Sequence, residues 1–343
     1  MAIEFQREVQ TASFYSPLED FEAVEVDVEV REDPLTGRSA RIVPGSFVRP
    51  DGEPDIAEVV EDDEGCFFCP DMVGDVTPEY PDWVGMERGR VGEATSFPNL
   101  NPYGPYSNVV ALTDEHWKPL DAFSAAEFEN GLAAALEYVD AVFDHDDDAA
   151  YASVNMNFLR AAGSSIIHPH LQTLVDDQGT NEDALRADAA RAYREETGGV
   201  YWADLVEAER DGDRYAGSTG SVDWLAPFAP KHHYQVTGVV DPEAVGGGAV
   251  DGVPAPDDDA VSVLADGITN VLAYYADEGL NSFNFALRLV ADEPACPPVV
   301  DVVGRSVFDR YYWSDSPFFV TLHDEGVVDV APEEYAAVAS EFF

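Results

Sequence analysis

The amino-acid sequence predicts an α+β protein built from two fused units, each an antiparallel sheet with a helix packed on one side. Two amphipathic helical patterns, at 125–145 and 257–276, each lie between short apolar or alternating stretches that are typical of strands. The apolar segment at 282–287 resembles the segment at 153–159, about 130 residues earlier. This echo predicts that one α+β unit occurs twice in the chain.

The boundary between the two units is predicted at the polar stretch 209–221, which gives a first domain over 1–208 and a second over 209–343. Residues 24–30 alternate as a strand with one solvated face, and the capping box Ser124-Ala125-Ala126-Glu127 opens the first helix. The other predicted elements are a turn at 33–37, strands at 38–48, 108–112, 151–159 and 234–240, a helix at 180–198 and an acidic loop at 51–64.

The charge balance is strongly acidic. The 343 residues include 68 Asp and Glu against 18 Lys and Arg, for a formal charge of −50, yet 45% of the residues are hydrophobic. A patterned core beneath an acidic surface with only Lys118 and Lys231 as lysines predicts a folded protein from a salt-accumulating cytoplasm, a halophilic origin. The same charge disfavours nucleic acid and anionic membranes as partners. No secretory leader and no apolar run of about 20 residues is visible, so we expect a cytoplasmic protein.

The segment His168-Pro169-His170-Leu171-Gln172 holds the side chains best suited to chemistry. Residues two apart in an extended segment share a face, so His168, His170 and Gln172 should project together. An imidazole can act as a nucleophile or a metal ligand, and a carboxamide can donate to an anion without adding charge. Because proline lacks an N–H, we expect this strand at a sheet edge or beside a cleft. An ordinary polar strand face is an equally good interpretation of the motif alone.

Cysteine usage indicates a metal site or a redox pair. Two of the three cysteines form Cys66-Phe67-Phe68-Cys69, which is too few for a disulfide framework. The βαβ setting of a thioredoxin-like redox pair is absent. A structural zinc site needs four ligands and prefers thiolates and imidazoles, and the chain has seven histidines from which the other two could come. The alternative is a pair of small buried thiols.

Several motifs in a fixed order make the chain similar to the galactose-1-phosphate uridylyltransferase family, the transferase branch of the histidine-triad superfamily. They are Asp33-Pro34-Leu35-Thr36-Gly37, Arg49-Pro50, Cys66-Phe67-Phe68-Cys69, Asp114-Glu115-His116, Asn157, Gly163, Ser165 and His168-Pro169-His170-Leu171-Gln172. In this branch the last histidine of the triad is replaced by glutamine, as at Gln172. The resemblance covers roughly the first half of the chain. It implies two fused histidine-triad-like units, of which the second lacks the motif and reads Ala295-Cys296-Pro297-Pro298 in its place.

The resemblance also implies roles for individual residues. His170 would be the nucleophile, with Gln172 and Ser165 as further catalytic groups. The implied substrate-binding residues are Arg49, Phe97, Leu100, Asn157, Ser165 and Gln172. The implied ligands of a structural zinc ion are Cys66, Cys69, His116 and His168, and no organic cofactor is expected. The chain departs from the family at Ser46, where a second arginine is usual, and at Leu171, where a glycine is usual and where the leucine is expected to narrow the space beside the phosphates.

The function implied by the resemblance is nucleotidyl transfer of the UDP-glucose–hexose-1-phosphate uridylyltransferase type, in galactose metabolism, by a homodimer that binds a nucleotide sugar and a sugar 1-phosphate. The reaction would pass through a nucleotidyl-histidine, because covalent catalysis divides one difficult displacement into two easier ones. One alternative is a nucleoside diphosphate sugar or dinucleotide phosphorylase that uses inorganic phosphate. The other is a nucleotide-binding sensor without turnover.

Overall fold

The computed structural model describes residues 3–45, 56–60, 65–246, 248–308 and 316–343. The described strands are β1 Arg7–Ser16, β2 Glu22–Glu32, β3 Ser39–Ile42, β4 Gly89–Val91, β5 Ala94–Pro98, β6 Tyr106–Ala111, β7 Tyr151–Phe158, β8 His170–Asp176, β9 Tyr215–Thr219, β10 Val222–Leu225, β11 Val236–Val240, β12 Ser282–Val290, β13 Val299–Arg305 and β14 Gly326–Val328. The described α-helices are α1 Ala57–Val60, α2 Val73–Val76, α3 Ala125–His145, α4 Asn181–Thr197, α5 Tyr201–Glu209, α6 Asp259–Asp277, α7 Phe318–His323 and α8 Pro332–Ala339.

Ten of the described strands form one antiparallel sheet, in the order β4-β5-β6-β8-β7-β12-β13-β11-β10-β9. The order is symmetric about the β7–β12 pair, because each half runs outward through the same succession of its own five strands. The predicted α+β class with antiparallel sheets is confirmed. The domain bounds of 1–208 and 209–343 stay a prediction.

One row of directly paired residues crosses both halves of the sheet. Paired positions on successive strands run Phe97, Val109, Gln172 and Asn155 in the first half, then Ala286, Asp301, Thr237 and Leu225 in the second. Asp301 therefore lies in the same row as Gln172, on β13, the strand of the second half that corresponds to β8.

Helices α3 and α6 cover one face of this sheet and bury most of the core. Helix α3 begins at the predicted capping box, in which the Ser124 side chain accepts from the Glu127 N–H and the Glu127 carboxylate accepts from the Ser124 N–H. A glycine in each helix allows close packing on the sheet. A Cβ atom at Gly131 would overlap the Leu112 side chain, and one at Gly267 would overlap Trp224. None of the described helices is long and apolar enough to cross a membrane.

A second sheet, β1-β2-β3-β14, is tied to the second half by an ion-pair network. The Arg31 guanidinium, whose side chain is 3% exposed, donates to both carboxylate oxygens of Glu333 in α8 at 2.9 Å. Arg214, just before β9, donates to the same carboxylate at 2.7 Å and also pairs with Glu209. Burial by itself would raise the pKa of Glu333, but the two guanidinium partners hold that pKa below its ordinary value.

The first prediction concerns this network. Glu333→Gln removes one of the two carboxylates that compensate the buried Arg31, the other being Glu29. We expect a loss of about 2 kcal/mol in the free energy of unfolding, less than for a fully enclosed pair because Glu333 is partly exposed. Because the folded-state pKa of Glu333 is lowered, its contribution is present above the unfolded pKa of about 4.3 and is lost as the pH falls through the folded pKa. Denaturant unfolding at pH 7 and pH 3.5 measures this. The control is Glu334→Gln at the exposed neighbour, and equal stability of the two variants at pH 7 would contradict the assignment.

Candidate active site and metal centre

His170 is the first residue of β8, which lies between β6 and β7 rather than at an edge. The expectation of a strand at a sheet edge, which rested on the missing N–H of Pro169, was therefore wrong, whereas its alternative, a strand beside a cleft, agrees with a groove that β8 lines. The edge expectation failed because Pro169 precedes the strand and takes part only as an acceptor, since its carbonyl oxygen receives the Leu112 N–H at 2.9 Å. No ladder hydrogen bond is lost. The prediction that His168 lies on the same strand was also wrong by these bounds.

The two faces of β8 have different surroundings. Leu171 is fully buried on the helix face, beside Leu112 and close to Gly131 of α3. His170 and Gln172 lie on the opposite face and line a groove of about 340 Å³. Since Leu171 points away from this groove, the expectation that it narrows the space beside the phosphates was wrong. Leucine instead fills the contact between the sheet and α3.

The tautomer of His170 follows from one hydrogen bond. Its Nδ1 lies 2.8 Å from the His168 carbonyl oxygen, which can only accept, so Nδ1 carries the proton and Nε2 has the free lone pair. His170 is 6% exposed, and burial lowers the pKa of its imidazole. The ring also contacts Phe68 at 5.2 Å between centroids. A neutral imidazole with an unprotonated Nε2 is the form that can attack an electrophile.

The groove brings together most of the predicted substrate residues. Its lining includes Phe97, Leu100, Ser165, His170 and Gln172. Phe97 is 2% exposed and packs against Phe68 at 5.4 Å, whereas Leu100 is 78% exposed at the rim. Asn157 does not appear in the lining. It lies in β7, where the register Asn155↔Gln172 and Met156↔Leu171, continued by one step, sets it beside His170. Arg49 lies outside the described residues.

Asn99 is a groove residue that the sequence analysis missed. Its Oδ1 accepts the Asn101 N–H at 3.0 Å, while its buried Nδ2 has no hydrogen-bond partner among the described residues. A buried donor without a partner is costly unless a ligand satisfies it. The available sequence signal was an asparagine at the end of a strand, followed two residues later by another. The exposed rings of Phe67 and Tyr103 line the same groove.

The described residues that line the groove include no lysine or arginine. A phosphate bound there would therefore be met by neutral donors, such as the Gln172 amide and the Ser165 hydroxyl, and by cations that come from elsewhere. Neutral donors can stabilise a phosphoryl oxygen by fixed hydrogen bonds without an additional charge.

Behind His170, the residues Cys66, Cys69, His116 and His168 converge, and their ligand atoms all lie within 4.8 Å of one another. The Cys69 Sγ is 3.6 Å from the Nδ1 atoms of both His116 and His168, and the Cys66 Sγ is 3.8 Å from the His168 Nδ1. Tetrahedral zinc, with bonds of about 2.3 Å to sulfur and 2.0–2.1 Å to nitrogen, needs ligand separations of roughly 3.5 Å. The four residues can therefore hold a metal ion, and the donor set is compatible with zinc.

Local interactions prepare these histidines as ligands. The His168 Nε2 donates to the Thr113 carbonyl oxygen at 2.7 Å, which leaves Nδ1 bare toward the cysteines. Burial lowers the pKa of His168 to about 4, so the imidazole stays neutral. The His116 Nε2 is buried and has no hydrogen-bond partner among the described residues. The four ligands come from three separate segments, since Cys66 and Cys69 share one turn.

Comparison with known proteins gives one relative in sequence and several in structure. No family model matches the chain. An uncharacterized protein of Archaeoglobus fulgidus is 33% identical, with 99% of each chain covered. An ADP-glucose phosphorylase from Arabidopsis thaliana, solved with bound ADP-glucose, has a TM-score of 0.69 at 18% identity and covers 92% of this chain and 99% of its own.

Two further solved structures have similar scores. A galT-like protein from Arabidopsis thaliana gives a TM-score of 0.68 at 18% identity, covering 91% of this chain and 98% of its own. A uridylyltransferase gives 0.62 at 19% identity, covering 91% and 97%. The chain therefore belongs to one family with the Archaeoglobus fulgidus protein, and its fold is that of the ADP-glucose phosphorylase, the galT-like protein and the uridylyltransferase.

Proposed function

We propose that the chain is a nucleotidyltransferase that works through a nucleotidyl-histidine at His170. The observation that carries the proposal is the fixed tautomer of His170, which leaves the Nε2 lone pair available on the groove face of β8. Nε2 attacks the α-phosphorus of a nucleoside diphosphate sugar, a P–N bond forms, and the bond to the bridging oxygen breaks so that sugar 1-phosphate leaves. A second sugar 1-phosphate attacks the same phosphorus, releasing the histidine with its Nε2 lone pair restored.

Neighbouring side chains would assist this displacement. Gln172, in register with Asn155 on β7, and Ser165, in the loop before β8, line the groove and can donate to phosphoryl oxygens. Phe97 and Leu100, with the exposed rings at the rim, are proposed to enclose the base, and the Asn99 Nδ2 would donate to it. Arg49 remains our proposal for a phosphate-binding cation.

A phosphorylase is the second candidate, because only the acceptor differs. In that reaction inorganic phosphate attacks the nucleotidyl-histidine and a nucleoside diphosphate is released. The solved relatives include proteins named for each reaction, an ADP-glucose phosphorylase and a uridylyltransferase. Because the relatives are named for both reactions, a role in galactose metabolism stays a prediction. The halophilic origin also stays a prediction. A sensor that binds nucleotides without turnover would form no covalent intermediate.

The second prediction tests the nucleophile and the acceptor together. Incubation with UDP-glucose or ADP-glucose should add one nucleoside monophosphate to the intact protein, measured by mass spectrometry, and His170→Ala should abolish the adduct and lower turnover by roughly 10⁴-fold or more. The adduct is then incubated with galactose 1-phosphate or with inorganic phosphate. The compound that removes the nucleotide from the protein is the acceptor. The control is His145→Ala, at an exposed imidazole that stacks on Trp83. An adduct on the His170→Ala variant would disprove the role.

We further propose that the Cys66, Cys69, His116 and His168 centre holds a structural zinc ion. The ion would fix the loop that carries the cysteines against the residues just before β8 and would do no chemistry itself. The histidines two residues apart would then have separate roles, with His168 in the metal site and His170 in the groove.

The third prediction separates those roles. Cys66→Ser and His168→Asn should lower the zinc content and the melting temperature, whereas His170→Ala should leave the zinc content unchanged, because its ring bonds the backbone carbonyl of His168 and not a side-chain atom that would hold the metal. Plasma mass spectrometry on protein prepared without chelators gives the metal content. Cys296→Ser is the matched control, since Cys296 is the third cysteine and lies between β12 and β13, among Ala187, Ala190 and Val290. A fully active preparation that contains neither zinc nor a substitute metal would contradict the proposed zinc site.

The predicted homodimer has a candidate surface in the β1–β2 ribbon. Ala12, Phe14, Val24, Val26 and Val28 lie on one face of this ribbon, while Thr11, Ser13, Glu25 and Asp27 lie on the other. The three valines are partly exposed and belong to none of the buried clusters of the described residues. The centre of this apolar face is uncharged, so a second copy of this −50 chain could dock its own ribbon there without opposing acids.

The fourth prediction tests that surface. Val26→Glu should convert a dimer into a monomer in sedimentation velocity at high salt, because the new carboxylate would be buried at the contact. Ala23→Glu adds the same charge to the opposite face of the ribbon, at an exposed position paired with Tyr15, and should leave the dimer intact. A monomeric wild-type protein, or equal effects of the two substitutions, would exclude the ribbon as the dimer contact.

A further inference from the structure

Two residues of the second half contact the candidate site across the β7–β12 junction. Asn284 in β12 is paired with Asn157 in β7. The Asn284 Nδ2 donates to the Asn157 Oδ1 and to the Ala162 carbonyl oxygen, both at 2.7 Å, and its Oδ1 accepts from the Arg305 Nη1 at 3.0 Å. Arg305 is buried at the end of β13 and also donates to the Ala161 carbonyl oxygen at 2.9 Å.

The polarity of this chain of hydrogen bonds is fixed by its ends. A guanidinium can only donate, so the side of Asn284 that faces Arg305 must be its oxygen. A backbone carbonyl can only accept, so the side of Asn284 that faces Ala162 must be its NH₂ group. These two assignments describe the same orientation of the Asn284 amide, which leaves its second N–H to donate to Asn157. Asn157 must therefore present its oxygen to β12.

The orientation of the Asn157 amide also fixes which of its polar groups faces β8. Strand β7 stands between β12 and β8, so a carboxamide with its oxygen toward Asn284 has its NH₂ group toward β8 and His170. The geometry points to Arg305 and Asn284 as positioning residues that hold Asn157 as a hydrogen-bond donor toward the phosphoryl group at His170. This inference rests on the proposed function, and it extends that function to residues of the second half.

Asn284→Asp and Asn284→Ala both lose the bond to the Ala162 carbonyl oxygen, so a structural role is separated from positioning by its dependence on Asn157. Asn284→Asp is isosteric and keeps the contact with Arg305, but its carboxylate also repels the Asn157 oxygen and favours a turned amide that faces the phosphate with an acceptor. Asn284→Ala leaves Asn157 able to rotate. Positioning predicts losses that vanish when Asn157 is already alanine, whereas a role confined to the Ala162 carbonyl predicts losses that persist in that background.

The fifth prediction is measured as the single-turnover rate of nucleotidyl-enzyme formation, with the nucleotide sugar that labels the wild type. We expect Asn284→Asp to slow this step at least tenfold, since loss of one fixed donor costs roughly 10²–10³ in comparable sites. Asn157→Ala should cause a loss of similar size, and the Asn157→Ala/Asn284→Asp double variant should be no slower than Asn157→Ala alone. Melting temperatures report on folding.

Two results would overturn the inference. One is an Asn284→Asp variant that labels as fast as the wild type, and the other is additive losses in the double variant. If Asn284→Asp does not fold, the cycle is run with Asn284→Ala, whose smaller loss must likewise vanish in the Asn157→Ala background. Failure of the wild type to label with any nucleotide sugar would instead reject the proposed function, so the two failures can be told apart.

Discussion

The pairing of β7 with β12 is the constraint on which the rest of the structure depends. Eight residue pairs join the two central strands, and they convert two five-stranded sheets into one. The pairing sets Asn157 beside Asn284 and connects the loop after β7 to the second half, through the Ala161 and Ala162 carbonyls. That loop leads to Ser165 and the histidine motif. The second half thus supports the site without supplying a histidine motif of its own.

Side-chain alternation and helical periodicity allowed the sequence to predict the fold class, the main helices and the groove-facing pair His170 and Gln172, because these signals are local. Strand neighbours are not local. Nothing in the order of residues shows that β8 is flanked by β6 and β7, so the expectation of an edge strand from Pro169 failed. The direction of Leu171 was misjudged for a related reason. Side-chain alternation predicts that Leu171 faces away from His170 and Gln172. The expectation that Leu171 narrows the space beside the phosphates came instead from the glycine that the family usually has there.

Asn99 and Arg305 were harder to assign for another reason. The significance of Asn99 lies in a buried donor without a described partner, and that of Arg305 lies in neighbours far away in sequence, Ala161 and Asn284. Both depend on which groups surround a side chain after folding. The metal centre was the opposite case. The chain has only three cysteines and seven histidines, and the family resemblance selected from them the four that the structure brings together.

Comparison with the second half of the sheet shows how the surroundings of Gln172 in the first half differ. In the row of Gln172, the corresponding strand β13 has Asp301, which pairs with Arg186 at 2.9 Å and with Arg288 at 2.6 Å and accepts from Thr237 at 2.7 Å. Burial alone would raise the pKa of Asp301, but the two guanidiniums keep that pKa far below its ordinary value, so the group is a buried ion held by fixed partners. Removing any partner would leave a buried charge uncompensated. In this network the guanidiniums of Arg186 and Arg288 are paired with a carboxylate, whereas Gln172 and Ser165 reach a groove whose described lining brings no carboxylate into competition with a phosphate.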